Sequence, residues 1–232
     1  AGVGLTILND KTGPLNRFSV TGTYAHHIPI SARTSVSAGI SIGAQQMSLD
    51  ASKLDFEQAG DPVIAASTLL NKWRPEVNAG LMLYSSNYYI SAAVQNIIPQ
   101  GIAYDNGKVV GDSLYRGKLV PHLFLSGGYR AFISEDISVL PSVMVRMITA
   151  APVSFDLNTK FQYRDRMWVG ASYRIKDGFA AMLGLNINST INIGYSYDYT
   201  TSSLNTVSKG SHEILIGFLI GNRYGDLCPR NF

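Results

Sequence analysis

Between Val153 and Thr200 the chain changes from apolar to polar almost residue by residue, through four consecutive segments. One set reads Val153, Phe155, Leu157, Thr159, Phe161 and Tyr163, then Met167, Val169, Ala171, Tyr173 and Ile175. It continues with Phe179, Ala181, Leu183, Leu185 and Ile187, then Ile191, Ile193, Tyr195, Tyr197 and Tyr199. The intervening positions hold the Asp, Asn, Lys, Arg, Ser and Gly residues. A period of two is the strand signature, because successive side chains point to opposite faces of the pleat. A charge-free apolar face tipped with aromatics, opposite a face that carries the charges, is what a strand needs against lipid. The pattern predicts an all-β, transmembrane, antiparallel up-and-down β-barrel.

The same test along the chain predicts about twelve strands. They cover 1–8, 17–28, 35–48, 76–86, 88–98, 120–132, 136–148, 152–164, 166–175, 178–188, 190–200 and 211–222. These lengths suit tilted crossings of about 9–11 residues. Pro141, mid-strand, predicts a bulge. The connections alternate in length. Ala51 to Pro75, Pro99 to Leu119 and Thr201 to Gly210 are long. Ile30 to Thr34, Ser85 to Asn87, Ser134 to Asp136, Asp165 to Arg166 and Asn188 to Thr190 are tight turns. In bacterial barrels the short turns are periplasmic and the longer loops extracellular. The last strand then runs downward and leaves the Cys228 tail in the periplasm. Tyr173, Phe179, Tyr197 and Tyr199 gather at one rim, and Phe161 and Tyr163 at the other, as interfacial girdles. A soluble sandwich or lipocalin-like barrel would carry its polar set outside. Here Gly, Ser, Asn and charges of both signs suit a wet lumen better.

Composition supports a membrane setting. The chain is 46% apolar and 15% charged, where soluble domains carry about a quarter charged residues. The densest apolar run, Ile214 to Ile220, is too short for a helical span. A net charge of +3, dispersed, argues against nucleic acid. A single cysteine, Cys228, excludes an internal disulfide and a cysteine zinc site. No signal peptide is present, which for an exported barrel means removal. His26 and His27 are adjacent, so they face opposite sides of a strand, and His122 and His212 are distant; no metal site is expected. No GxSxG, HExxH or P-loop pattern occurs. His212 shares the parity of Ile214, Ile216 and Phe218, facing lipid. No catalytic residue and no cofactor are expected. Asp105-Asn106-Gly107-Lys108 reads as a type I′ turn at a loop tip, with too few oxygen ligands for calcium.

Two groups remain as candidate functional residues. Asp156, Lys160, Arg164, Arg174, Asp198 and Glu213 fall on the polar set, where they either neutralise one another in a narrow lumen or contact a partner tail. The long loops carry Trp73 with Arg74, Tyr104, and Tyr115 with Arg116, residue types that dominate interface energetics. Asp61-Pro62, followed by Val63, Ile64, Leu69 and Leu70, suggests a short helix over the barrel mouth. A loop of this length without structure of its own is unusual unless functional.

Several strings carry a resemblance to a known family. They are Gly2-Val3-Gly4-Leu5 with Asn9-Asp10-Lys11-Thr12-Gly13-Pro14-Leu15, then Tyr163-Arg164-Asp165-Arg166-Met167-Trp168-Val169-Gly170-Ala171-Ser172-Tyr173-Arg174. Gly194-Tyr195-Ser196-Tyr197-Asp198, Gly210-Ser211-His212-Glu213-Ile214 and the Cys228-Pro229-Arg230 tail follow in order. In this order the chain resembles the PorP/SprF family of outer-membrane proteins in the type IX secretion system of Bacteroidota. The resemblance implies a barrel of fourteen strands, twelve of them in this chain. It also implies partners: a secreted adhesin carrying a type B C-terminal domain, other type IX components and outer-membrane lipids. Members serve export or surface retention of such adhesins, and gliding motility in some species. Members begin with an extra segment upstream of the Gly-Val-Gly-Leu string, so such a segment or a partner chain is expected to complete the seam. The expected function is a non-enzymatic anchor; the alternative is an outer-membrane diffusion channel or hydrophobic-solute transporter.

Overall fold

The computed structural model describes residues 1–50, 69–101, 118–149, 151–188, 190–202 and 210–218. The alternating segments all become strands: β1 (Gly2–Thr12), β2 (Leu15–Pro29), β3 (Thr34–Asp50), β4 (Leu69–Ser85), β5 (Tyr88–Gln95), β6 (Gln100–Gly101), β7 (Lys118–Leu119), β8 (His122–Tyr129), β9 (Ala131–Phe132), β10 (Ile137–Ile148), β11 (Ser154–Tyr163), β12 (Met167–Arg174), β13 (Gly178–Asn186), β14 (Ile191–Thr200) and β15 (Ser211–Phe218). No helix occurs among the described residues. Thirteen strands form one sheet, ordered β1-β2-β3-β4-β5-β8-β10-β11-β12-β13-β14-β15, with β9 also on β10; β6 and β7 form a separate small ladder. Every pairing is antiparallel and each long strand lies beside its neighbours in sequence, which is an up-and-down meander.

Register puts the two side-chain sets on opposite faces throughout. Val143 lies opposite Leu157, Leu157 opposite Tyr173, Leu183 opposite Val169 and Tyr195, and Ile193 opposite Ile216. All of these are well exposed or half-exposed. The polar rows between them include the buried groups Gln45, Arg74, Asp156 and Gln162. The polar face is concave. His27 on β2 reaches Tyr84 on β4 at 3.0 Å, and Arg17 on β2 reaches Glu76 on β4 at 3.9 Å, in both cases past the intervening β3. The convex face is the apolar one. β1 and β15 each pair on one side only among the described residues. In lipid an unpaired edge is strongly unfavourable, so this seam is where further pairing is required.

The strands are unequal. β3 and β4 have 17 residues each, while β8, β12 and β15 have 8. At about 3.3 Å per residue, seventeen residues exceed what a band of about 25 Å needs even when tilted. The side chains show where lipid ends. Convex positions of β3 read Val36, Ala38, Ile40, Ile42 and Ala44, then turn polar at Gln46, Ser48 and Asp50. Gln46 is flanked in register by Phe18 and Trp73, whose rings meet edge to face at 6.1 Å. Aromatics at the level where polarity changes form an interfacial belt. Tyr173 and Phe179, stacked at 4.8 Å beside Tyr199, occupy the corresponding rim on the later strands. Above Gln46 the pattern on β2 and β3 inverts: Asn16, Ser48 and Asp50 take convex positions, while Leu15, Met47 and Leu49 lie on the concave side, with Arg17 beside Met47.

Two local expectations change. The long connection before β4 does not run to Pro75, because β4 starts at Leu69; its alternation passes straight through the proline. Pro75 is tolerated because its carbonyl, and therefore its missing N–H, points away from β3 toward Gln100, whose Nε2 donates to it at 2.6 Å. Pro141 makes no bulge. The registers Ser142–Gly128 and Val139–Ala131 bracket it without an extra residue; instead, the partner strand divides at Arg130 into β8 and β9.

The faces make a sharp prediction at mid-strand in β11. Leu157 is convex and half-exposed, whereas Asn158 lies between Ser142 and Ser172 on the concave side. Leu157→Arg should lower the folding free energy in liposomes by about 2–4 kcal/mol, with Asn158→Arg much milder. A reversed ranking in equilibrium unfolding would refute the assigned faces.

Candidate functional site

The concave face is built differently in its two halves. In the later strands it is filled by charges and one large ring. Asp156, 4% exposed, receives Arg146 from β10 at 3.3 Å and Arg174 from β12 at 3.5 Å; Arg174 also donates to Asp177 at 2.9 Å. Arg146 lies 5.8 Å from the Phe124 ring. One carboxylate between two guanidiniums fixes the relative heights of three strands. Lower down, the Lys160 ammonium sits 5.4 Å from the Trp168 ring. Trp168 in turn lies flat against Gly184, where an added Cβ would fall 2.3 Å from ring carbon Cε2. Glycine is needed there for close approach, not for its backbone freedom.

In the first strands the same face is lined by small residues. A cavity of about 560 Å³ lies among Thr6, Arg17, Ser19, Thr21, Thr23, Ser37, Ser41, Glu76, Asn78 and Ser91. At its loop-side end Asn78 donates to Glu76 at 3.1 Å, and Gln45 donates to Asn96 at 3.4 Å. Arg74 follows in the next concave row, in register with Gln45.

The candidates of the sequence reading separate accordingly. Asp156 and Arg174 come together; Arg146, their third member, lies on the polar parity of β10 and was available from that pattern. Glu213 accepts from Ser196 at 3.3 Å. Asp198 is concave, opposite Ala180 and Ser211. Lys160 has no carboxylate within ion-pair distance among the described residues and instead faces Trp168. Arg164 is not in the lumen. Its φ of 50°, followed by 52° at Asp165, takes the chain out of β11 into a tight turn. There its guanidinium makes a two-pronged pair with Asp136 at 2.9 and 3.0 Å, while Arg130 holds Asp165 at 2.6 Å. Two left-handed non-glycine residues in succession are disfavoured, and these cross-turn ion pairs hold them. Trp73 and Arg74 belong to β4, not to a loop: Trp73 is convex at the interfacial belt, and Arg74 is concave and 4% exposed. Consecutive strand residues cannot share one surface. Tyr104, Tyr115, Arg116 and the Cys228 tail lie outside the described residues, as do Asp61 to Ile64 of the expected helix; its end, Leu69 and Leu70, is strand β4 instead. Arg17, Gln45 and Glu76 escaped the sequence reading, although all three share the parity of their strands' polar sets.

Two outcomes follow. Asp156→Asn should leave Arg146 without a carboxylate among the described residues and Arg174 with Asp177 alone. Breaking a buried pair costs about 3–5 kcal/mol; since both arginines are about a third exposed, a loss of about 2 kcal/mol is expected in unfolding experiments. Asp136 has its pKa lowered, first by the hydrogen bond from Arg164. A depressed folded-state pKa gives stability that is complete above the ordinary aspartate range, about 3.9, and lost as pH falls through the lowered value. Amide exchange at Arg164, which donates to the Asp136 carbonyl at 2.7 Å, should therefore accelerate only below that range, and Asp136→Asn should accelerate it at neutral pH.

No curated protein matches the chain. Among solved structures, the crystal structure of a Pseudomonas aeruginosa FadL homologue is similar at 12% identity, over 93% of this chain and 72% of that one, with a TM-score of 0.49. The family described as type IX secretion system membrane protein PorP/SprF matches residues 1–218. The chain thus belongs to the PorP/SprF family and is an outer-membrane component of the type IX secretion system.

Proposed function

We propose that this chain is a non-enzymatic docking barrel that captures a secreted type IX substrate and retains it at the cell surface. The substrate class is an adhesin with a type B C-terminal domain, with gliding motility as the outcome in some species. The observation that carries the reading is the inversion above Gln46. On the side of the long connections, β1 to β4 rise past the lipid boundary with Leu15, Met47 and Leu49 on the concave side. A concave surface above the membrane that combines Leu15, Met47 and Leu49 with Asp10 and Arg17 suits a protein ligand. The opposite side has only tight turns, too small for an interface of about 800 Å² per partner. The long connections are then extracellular and the C-terminal tail periplasmic. Tyr104, Tyr115 and Arg116, by residue type, supply further anchors from the second long loop.

The cavity beside β1 to β3 favours a second reading, passage of small solutes. Planar-bilayer recordings separate the two: an anchor should show no stable large conductance steps, and a channel should.

Deleting residues 102–117 while keeping the ladder of β6 and β7 should leave the barrel in the outer membrane and release one large protein from the surface. An unchanged surface-protein profile would remove the docking reading. In a Cys228→Ser background, an impermeant maleimide should label Asn106→Cys in intact cells and spare Ser86→Cys; the opposite result inverts the orientation.

A further inference from the structure

Arg74 is 4% exposed, yet its Nη1 and Nη2 have no hydrogen-bond partner among the described residues. Beside it, Gln45 is fully buried with Oε1 unpaired, and Glu76, 9% exposed, has Oε2 unpaired. The partners these groups do have are used elsewhere: Gln45 Nε2 donates to Asn96, Asn78 donates to Glu76 Oε1, and Arg17 Nη2 stays 3.9 Å from that oxygen. Arg146 and Arg174 differ in having carboxylates within ion-pair distance, Asp156 for both and Asp177 for Arg174, although each leaves its Nε without a hydrogen bond. Buried polar groups are ordinarily satisfied, and a group that is not calls for an explanation. A buried guanidinium with both outer nitrogens unpaired is strongly unfavourable where it lies. Glu76, two residues along the same face, lines the open cavity of about 560 Å³. Arg74 itself is not among the residues that line this cavity, so binding there requires its side chain to turn toward it.

We propose that Arg74 is the anion-binding group of a lumen subsite that takes the carboxylate end of a polypeptide docked at the mouth. The inference rests on the reading of the mouth as a polypeptide-docking surface. The unfilled groups define the ligand. Two parallel donors on one guanidinium match the two oxygens of a carboxylate. The adjacent unfilled acceptors, Gln45 Oε1 and Glu76 Oε2, require N–H groups next to that carboxylate, as a peptide backbone supplies. Glu76 repels an anion of higher charge, so phosphate fits poorly. Above this row Leu15 and Leu49 give the preceding residues of the ligand an apolar wall.

The test uses the full chain in detergent micelles, isotope-labelled and titrated with acetyl-leucyl-glycine, acetyl-leucyl-glycinamide or inorganic phosphate, with the amide resonances of Gln45 and Arg74 as readout. The free carboxylate should bind at least tenfold more tightly than the carboxamide or phosphate. Arg74→Lys, which keeps the charge and loses the fork, should weaken it about as much. Arg74→Met should abolish binding and raise the thermal midpoint of the free protein, because an unpaired buried charge has been removed. Equal binding of carboxylate and carboxamide, equal or tighter phosphate binding, no saturable shift with any probe, or a lower midpoint for Arg74→Met would each overturn the assignment. If Arg74→Met does not fold, the comparison of the three probes on the unaltered chain decides. The two readings fail separately: a null result here leaves the loop-deletion result standing, and an unchanged surface profile after loop deletion removes docking whatever the probes show.

Discussion

A strand inside lipid has no water to satisfy its backbone, so its ladder hydrogen bonds must come from neighbouring strands. That requirement explains the meander: the long segments pair in sequence order, so each strand finds its partner in the next one along the chain. It also explains why the apolar set never slips to the other face. A shift of one residue would put Asp156 and Arg174 into hydrocarbon and Leu157 and Tyr173 into the lumen. The requirement bears hardest on the two seam strands. Val3, Leu5 and Ile7 on β1, and Ile214, Ile216 and Phe218 on β15, are convex and each at least 60% exposed. Both strands carry a lipid-type face up to a backbone edge that lacks a partner among the described residues.

Inside, two solutions to the same problem sit side by side. The later strands fill the concave face with long side chains. Asp156 joins β10 and β12 through β11, and Trp168 spreads across Gly184 toward Gly194. These contacts are mutual and mostly satisfied, and they make that half a stiff wall. In the earlier strands Ser19, Thr21, Thr23, Ser37 and Ser41 are too short to meet across the lumen, and a cavity results. Short hydroxyls pair locally, as Thr23 does with Ser41 at 2.8 Å. Longer polar groups close the two ends: His27 meets Tyr84 at the turn side, and at the loop side Gln45, Arg74 and Glu76 leave donors and acceptors unfilled. The molecule is therefore rigid where it is filled and receptive where it is not.

The strands and their faces were legible in the sequence because alternation is a local signal, repeated often enough to absorb errors at the ends. What was not legible depended on neighbours. Pro75 reads as a strand terminator until one knows that β4 is paired on one side only at that height. Pro141 reads as a bulge until the partner strand is seen to take the interruption at Arg130. Arg164 keeps the polar parity of β11, and only its left-handed backbone, held by Asp136 from another turn, takes it out of the lumen. Trp73 and Arg74 look like a paired interface anchor by composition, yet one residue along a strand means opposite surfaces. The pairing of Asp156 with Arg146 needed register between strands, which parity alone does not provide.

The level of Gln46 joins these observations. Below it the sheet follows membrane rules, apolar outside and polar inside. Above it β2 and β3 come closer to the rules of a water-soluble sheet, with Asn16, Ser48 and Asp50 on the convex side and Leu15, Met47 and Leu49 facing inward. One continuous backbone satisfies both solvents because a strand presents two independent faces, and only the sequence on each face has to change. At the changeover the Phe18–Trp73 pair fixes the outer boundary, and the Gln45–Arg74 row lies at the same height within. A ligand entering from above thus meets apolar wall first and unfilled polar groups next, in the order that an extended chain ending in a charge presents its own.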